Sequence, residues 1–237
     1  MLTGQPYKHY LDPTLVRDQN ACYKAMYRWN HAKSALGDKS VGDLAKLFLD
    51  ILDPAAMLER ERLSEDDERR KSEHPPPANR FEHHHGPPGS TFKSSYGPKG
   101  DVAELTNVEA PFRCDFGYHL HIGGYTSIGP NCYFQDAGGI YIGNNVVIKA
   151  GVQLVTMEAD AGEEERKGSQ GLFKAGMIEI QDGAIIGDGA IIWPYVTVGK
   201  NAVVKPGAVV SKVGEVSSRS LRREADMFGR MSRTAIL

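Results

Sequence analysis

Aliphatic residues recur in this chain at an interval that neither an amphipathic helix nor an alternating strand uses. Ile180, Ile186, Ile192, Val198, Val204 and Val210 stand six residues apart without a slip. Ile142, Ile148 and Leu154 keep the same interval, as do Ile122, Ile128 and Phe134. A helical face repeats about every 3.6 residues and a strand face about every two, so a period of six needs a chain that turns a corner after each short strand. That is the mark of a parallel β-helix, with short strands for its flat faces and turns for its corners. The aliphatic residue points inward and stacks on its equivalent one coil away. The next residue reaches the corner. It is glycine at Gly123, Gly129, Gly143, Gly187 and Gly199, and glycine adopts backbone angles closed to other residues. About four coils of three hexapeptides each are predicted across 108–213.

The interval breaks twice. A short insertion lies near Ala137 to Ile140, and a long one runs from Val155 to Glu179. A solenoid can take up extra residues only by expelling them as a loop. A long loop on a rigid scaffold usually carries function.

The pattern ahead of the solenoid is different. Asp12-Pro13 starts a helix, with aspartate as N-cap and proline in the first turn, and Leu15, Cys22, Met26 and Trp29 fall on one face. Ser40 with Asp43 forms a second capping signal. Val41, Leu44, Leu47, Phe48, Ile51 and Leu52 follow at helical spacing, and Pro54 stops them. Residues 1–53 are therefore two amphipathic helices. Residues 54–107 open on a charge run, Leu58 to Lys71, with room for a helix over 56–72, and continue into His74-Pro75-Pro76-Pro77 and His83-His84-His85. Large apolar residues are scarce there, so the segment is expected to be a disordered insertion. The histidine run reads as a solvated loop, because nothing nearby fixes the geometry a metal needs. The tail, 214–237, carries Leu221, Ala225, Phe228 and Met231 at helical spacing and is expected to cap the open end of the solenoid. Its arginines lack the aromatic interleaving of a nucleic-acid surface.

Composition narrows the function classes. The formal net charge of −2 over 237 residues points to neither nucleic acid nor an anionic membrane. No apolar run is long enough to cross a bilayer, and no basic-then-apolar leader opens the chain. Three widely spaced cysteines, Cys22, Cys114 and Cys132, read as small buried residues in a reducing compartment. The expectation is a cytoplasmic protein without a metal.

Certain segments resemble the maltose, galactoside and nodulation-factor O-acetyltransferases. Met1-Leu2-Thr3-Gly4-Gln5-Pro6-Tyr7 resembles the opening of that family's helical segment. Ala110 through Gly123 (APFRCDFGYHLHIG) resembles the motif that opens its β-helix. Ile128-Gly129-Pro130-Asn131-Cys132, Ile142 through Ile148 and Val209-Val210-Ser211-Lys212 continue the likeness. The long 54–107 insertion departs from the compact bacterial pattern and is more like fungal members. The resemblance implies a left-handed parallel β-helix with an N-terminal helical segment, assembled as a homotrimer. It implies acetyl-CoA in the groove between subunits and transfer of acetyl to a small-molecule hydroxyl.

The resemblance also assigns residues. Asn131 and Asp136 match positions lining the acceptor site, although Asn131 equally suits a solenoid corner. Asp188 and Pro206 match backbone contacts to the CoA arm. Ser211 and Lys212 match a pair near its nucleotide end, and a solvated corner lysine is the alternative for Lys212. The family's base is a histidine in the long loop, and alignment from both flanks places Ala159 there. Alanine cannot move a proton. Glu158 is the neighbouring carboxylate that could substitute, if a dry site raised its pKa. The aromatic that often precedes Ile-Gly in the next coil is Ile185 here. His119 and His121 belong to the first coil, and His121 reads as structural. Two functions follow: an acetyl-CoA-dependent O-acetyltransferase, or an inactive member that binds CoA or serves as a scaffold, alone or in mixed trimers.

Overall fold

A computed structural model of the chain describes residues 5–34, 41–73, 100–103, 105–159, 167–211 and 214–216. The predicted β-solenoid is present and has five coils. Three parallel sheets form its faces. The first stacks Asp101–Val102, Leu120–Ile122, Ile140–Ile142, Ile178–Ile180, Val196–Val198 and Gly214–Val216. The second stacks Asn107–Val108, Ser127–Ile128, Val147–Ile148, Ile185–Ile186 and Val203–Val204. The third stacks Phe112–Cys114, Cys132–Gln135, Gln153–Val155, Ile191–Ile192 and Val209–Val210.

The six-residue interval becomes register. On the first face Ile122 pairs with Ile142, Ile142 with Ile180 and Ile180 with Val198. On the second, Ile128, Ile148, Ile186 and Val204 stack in turn. On the third the row is Phe134, Leu154, Ile192 and Val210. All twelve are buried. The solenoid begins earlier than 108. Val102, Val108 and Cys114 hold the same six-residue interval and pair with Ile122, Ile128 and Phe134. The polar residues around them hide the period in the sequence.

Three helices cover the first coil: α1 (Pro13–Ser34), α2 (Val41–Leu52) and α3 (Pro54–Glu73). Asp12 caps α1, its Oδ1 accepting from the backbone N–H of Thr14 at 2.8 Å and of Leu15 at 3.3 Å. The same signal recurs at Asp53-Pro54, where Asp53 Oδ1 accepts from Ala56 N–H at 3.0 Å. Pro54 thus ends one helix and opens the next, so the first part of the low-complexity insertion is helical. Helix α3 is held by Met57, buried against the core, and by Glu61, which pairs with Lys24 at 2.6 Å and with Arg28.

One core runs from helices into coils. Trp29 packs on Phe48, Phe48 on Phe112 and Phe112 on Phe134, at ring separations of 5.4, 5.9 and 5.1 Å. Asn30 closes the exposed edge of the Phe112 strand, accepting from its N–H and donating to its carbonyl, both at 2.9 Å. Cys22, Cys114 and Cys132 are buried and form no disulfide, and the Sγ atoms of Cys22 and Cys114 lie 3.5 Å apart. No described helix is long and apolar enough to cross a membrane. The expected cap at Ser40, the histidine run at 83–85 and the tail helix beyond 216 lie outside the described residues, as does Lys212.

Candidate functional site

The long insertion leaves the solenoid as a two-stranded antiparallel hairpin, Met157–Ala159 against Phe173–Ala175. Its base is pinned by Thr156. The Thr156 hydroxyl accepts from Gly138 N–H at 2.8 Å, and its carbonyl accepts from Gly176 N–H at 2.7 Å. Register fixes which side chains share a face. Met157 pairs with Ala175, Glu158 with Lys174 and Ala159 with Phe173. Directly paired residues point the same way and alternate residues return to the same face. Met157, Ala159, Phe173 and Ala175 therefore look in one direction, and Glu158 and Lys174 in the other.

The N-terminal segment extends this small sheet. Tyr7 bridges Phe173 in antiparallel register, with paired N–H···O bonds of 2.9 Å each. Ala159, Phe173 and Tyr7 form one row across three chain segments. Under that face Phe116, Ala137, Met157 and Ala175 make a second apolar cluster, flanked by Tyr7, Leu15, Tyr118 and Phe173.

Asp136 borders this cluster, fully buried at the end of the Cys132–Gln135 strand. Its Oδ1 accepts from the backbone N–H of Asp115 at 3.0 Å and of Phe116 at 2.8 Å. Its Oδ2 is buried and has no partner. Burial drives its pKa up to about 7, offset in part by the Phe116 hydrogen bond and reinforced by the charge of Asp115. His119 lies beside it, Nδ1 3.1 Å from the Asp136 carbonyl, and burial lowers that imidazole to about 4. A group at Asp136 that can pass between acid and carboxylate near neutrality is suited to binding a hydroxyl.

The raised pKa has a consequence for stability. The folded state holds the Asp136 proton more tightly than the unfolded chain, whose carboxyl titrates near 3.8. The resulting stabilisation is complete below the unfolded value and is lost as pH rises through about 7. His119 and His9, both held neutral by burial, act in the opposite sense below 6.5, so the expectation is comparative: from about pH 4 to pH 8 the wild type loses stability relative to Asp136→Asn, which mimics the neutral acid. Parallel melts of the two proteins across pH check this. Equal slopes would mean that Asp136 stays ionised.

The other sequence candidates fall elsewhere. Asn131 is exposed at a corner with φ +61°, its N–H donating to Pro111 O at 2.6 Å. It stands at the far end of the strand that leads to Asp136, roughly 15 Å away, so the two do not meet within one chain. Its corner belongs instead to the column holding Asp188 and Pro206. Gly151 N–H donates to Pro130 O, Gly189 N–H to Ala150 O and Gly207 N–H to Asp188 O, at 2.8–2.9 Å. Gly189 and Gly207 take φ of +65° and +68°, with open space where a Cβ would stand. Asp188 and Pro206 are exposed there, and Ser211 is exposed at the opposite edge of the same face. Glu158 looks away from the Asp136 cluster, and Ala159 is exposed. His121 stacks flat on Tyr141 at 4.6 Å and bonds Asp101 at 2.6 Å. Both rings line an open groove of about 350 Å³ at the corner between the first and second faces, away from the hairpin. No cluster suited to a metal ion occurs among the described residues.

Tyr7 and His9 carry no signal that marked them in the sequence as site residues. His9 is 2% exposed, with ring neighbours Tyr10 at 4.8 Å, Phe116 at 5.9 Å and Phe173 at 6.1 Å. The aromatic density of Tyr7 to Tyr10 is the one hint, and no periodicity ties it to the solenoid.

Comparison with known proteins finds matches in both the helical and the solenoid parts of the chain. Residues 177–212 match the bacterial transferase hexapeptide (six repeats) family, and residues 1–63 match the maltose acetyltransferase hexapeptide capping motif. A Schizosaccharomyces pombe protein named "Putative acetyltransferase" is 30% identical over 212 residues, 90% of this chain and 81% of that one. The crystal structure of a maltose O-acetyltransferase from Clostridium difficile 630 superposes with a TM-score of 0.59 at 24% identity, covering 89% of this chain and 84% of that chain. A hexapeptide-repeat acetyltransferase of Vibrio cholerae, complexed with acetyl coenzyme A, gives 0.61 at 18% identity, covering 91% and 86%. These structural likenesses establish the common fold.

Proposed function

Because this chain belongs to the hexapeptide-repeat acetyltransferase family that includes the maltose and galactoside O-acetyltransferases, we propose that it is an acetyl-CoA-dependent O-acetyltransferase acting on a hydroxyl of a sugar or other small molecule. The observation that carries this reading is Asp136, a buried carboxyl with one unpartnered oxygen under the loop hairpin. Such a group binds an acceptor hydroxyl and orients its oxygen for attack. The co-substrate supplies an activated acyl carbon. The column at Asp188 and Pro206 suits its long arm, because Gly189 and Gly207 leave open space at the corner along the solenoid axis. Ser211 would meet its nucleotide end, with Lys212 beside it.

The same geometry supports a homotrimer. Asp136 and the Asp188 column stand on opposite edges of one face, so one chain cannot present acceptor and acyl donor together. A neighbouring copy that laid its column beside the first chain's hairpin would complete the site. Val209, Val203 and Ile185 leave 58%, 52% and 39% of their surface exposed on the outer faces, area that assembly would cover.

Ala159 favours a second reading, an inactive member that binds acetyl-CoA without transferring acetyl. One experiment separates the two. The expected result is a light-scattering mass of three chains, saturable acetyl-CoA binding by calorimetry, and release of CoA thiol. Binding without thiol release selects the second reading. A monomer that binds no acetyl-CoA defeats both.

A further inference from the structure

Transfer to a hydroxyl requires a group that takes its proton as the oxygen attacks. The hairpin face over the Asp136 cluster carries Met157, Ala159, Phe173 and Ala175, none of which accepts a proton. The next segment of the same small sheet does offer one. Tyr7 stands in the row with Phe173 and Ala159. Its hydroxyl lies 3.3 Å from Nδ1 of His9, and Nε2 of His9 lies 2.9 Å from the side-chain amide nitrogen of Gln19 on α1.

We infer that Tyr7 and His9 form the proton relay of this site. The acceptor hydroxyl gives its proton to the Tyr7 oxygen while Tyr7 passes its own proton to Nδ1 of His9. The freed electron pair of the acceptor oxygen forms the new bond to the acyl carbon. The carbon–sulfur bond then breaks with its pair leaving on sulfur. The proton stored on His9 returns through Tyr7 to the thiolate. The products are an acetyl ester and free CoA thiol, with both side chains restored. This inference rests on the acetyltransferase reading above.

The surroundings suit the role. Groups facing the pair are Tyr10 on its own segment, Gln19 on α1, Phe116 with Asp115 beside it in the first coil, and Phe173 on the hairpin. No carboxylate bonds His9 among the described residues, and burial holds its pKa below the usual 6.5, so the ring is neutral and ready to accept. When it is protonated, both nitrogens donate, to the Tyr7 oxygen and to Gln19. In the relay Nε2 carries a hydrogen both before and after Nδ1 accepts, so Gln19 serves it with the amide oxygen, half a turn from the nitrogen that faces the ring here. Burial likewise raises Tyr7, and its hydroxyl keeps its proton at rest. Burial thus drives Asp136 up to about 7 and His9 down, favouring the neutral form of each.

The test uses the full chain, with acetyl-CoA and water as the simplest hydroxyl acceptor. His9→Gln keeps the size and a hydrogen bond to Tyr7 but stores no proton. It is expected to lower the rate of thiol release about 10²-fold, leave the acetyl-CoA dissociation constant unchanged, and erase the acid limb of the pH–rate profile. In the wild type that limb has its midpoint below 6.5. Tyr7→Phe is expected to do the same. A full rate or an intact acid limb in either variant overturns the relay alone. So does loss of activity in Glu158→Gln with none in His9→Gln. A wild type that binds acetyl-CoA but releases no thiol overturns the relay and the transferase reading together. Ring NMR supplies a readout independent of turnover: Tyr7→Phe must move the His9 titration midpoint, and a midpoint that ignores Tyr7 overturns the relay.

Discussion

Ala159→His is expected to raise acetyl transfer to a small hydroxyl acceptor by about 10²-fold or more, the lower end of what a positioned general base contributes. Backbone geometry is the reason. The hairpin strand carrying Ala159 is registered on both sides, through Met157 to Ala175 and through Phe173 to Tyr7. An imidazole at 159 would share the face that covers Asp136 and would reach the acceptor hydroxyl directly. The wild-type route through Tyr7, a reluctant acid, is slower. A neutral imidazole titrates near working pH and suits the step. The readout is kcat/KM for thiol release, in the wild-type and His9→Gln backgrounds. A base at 159 bypasses the relay, so the gain should survive the loss of His9. A variant no faster than the wild type in either background would show that the strand does not present position 159 to the acceptor.

Phe134→Ala is expected to cost about 3–5 kcal/mol of folding stability, the usual range for truncating a buried phenylalanine. Phe134 is fully buried, its strand position stacks between Cys114 and Leu154, and its ring meets Phe112 edge-on at 5.1 Å. Phe112 in turn carries the contact to Phe48 on α2. The ring is thus the link between coil packing and the helical cover, and a methyl in its place leaves a cavity that a rigid solenoid cannot collapse. Domains of this size are stable by only about 5–15 kcal/mol, so the variant should melt roughly 10 °C lower. Phe134→Leu should lose far less, because it keeps most of the volume. A loss under about 1 kcal/mol for the alanine variant would mean that helices and coils are separately stable.

The solenoid was legible because its physics is one-dimensional. Each coil touches only its neighbours, so the phase of the aliphatic positions is also their register. Within the unbroken run the stacking of Ile186 on Val204 and of Ile192 on Val210 follows from phase alone, whereas Ile128 on Ile148 and Ile148 on Ile186 pair across the two insertions. The coil of Val102, Val108 and Cys114 fell only partly inside the expected 108–213, since these residues keep the interval among polar neighbours and without corner glycines. Helix α3 is legible in the sequence only as room for a helix over 56–72 within a disordered insertion. Its charged composition masked a start signal, Asp53-Pro54, of the same kind as Asp12-Pro13.

The site was legible only in part. The sequence determined the repeat and the long loop, and the family resemblance pointed to Asp136 and Ala159. Only the tertiary structure decided how these relate. Asn131 and Asp136, five residues apart, are sent to opposite edges of one face by the strand between them. Glu158 and Ala159 are sent to opposite faces of the hairpin by the pleat. Tyr7 and His9 are brought to the loop from the far end of the chain by backbone hydrogen bonds between Tyr7 and Phe173. Such bonds join any two backbones and leave no side-chain pattern to read. Periodicity reports contacts that recur, whereas this site is made of contacts that occur once.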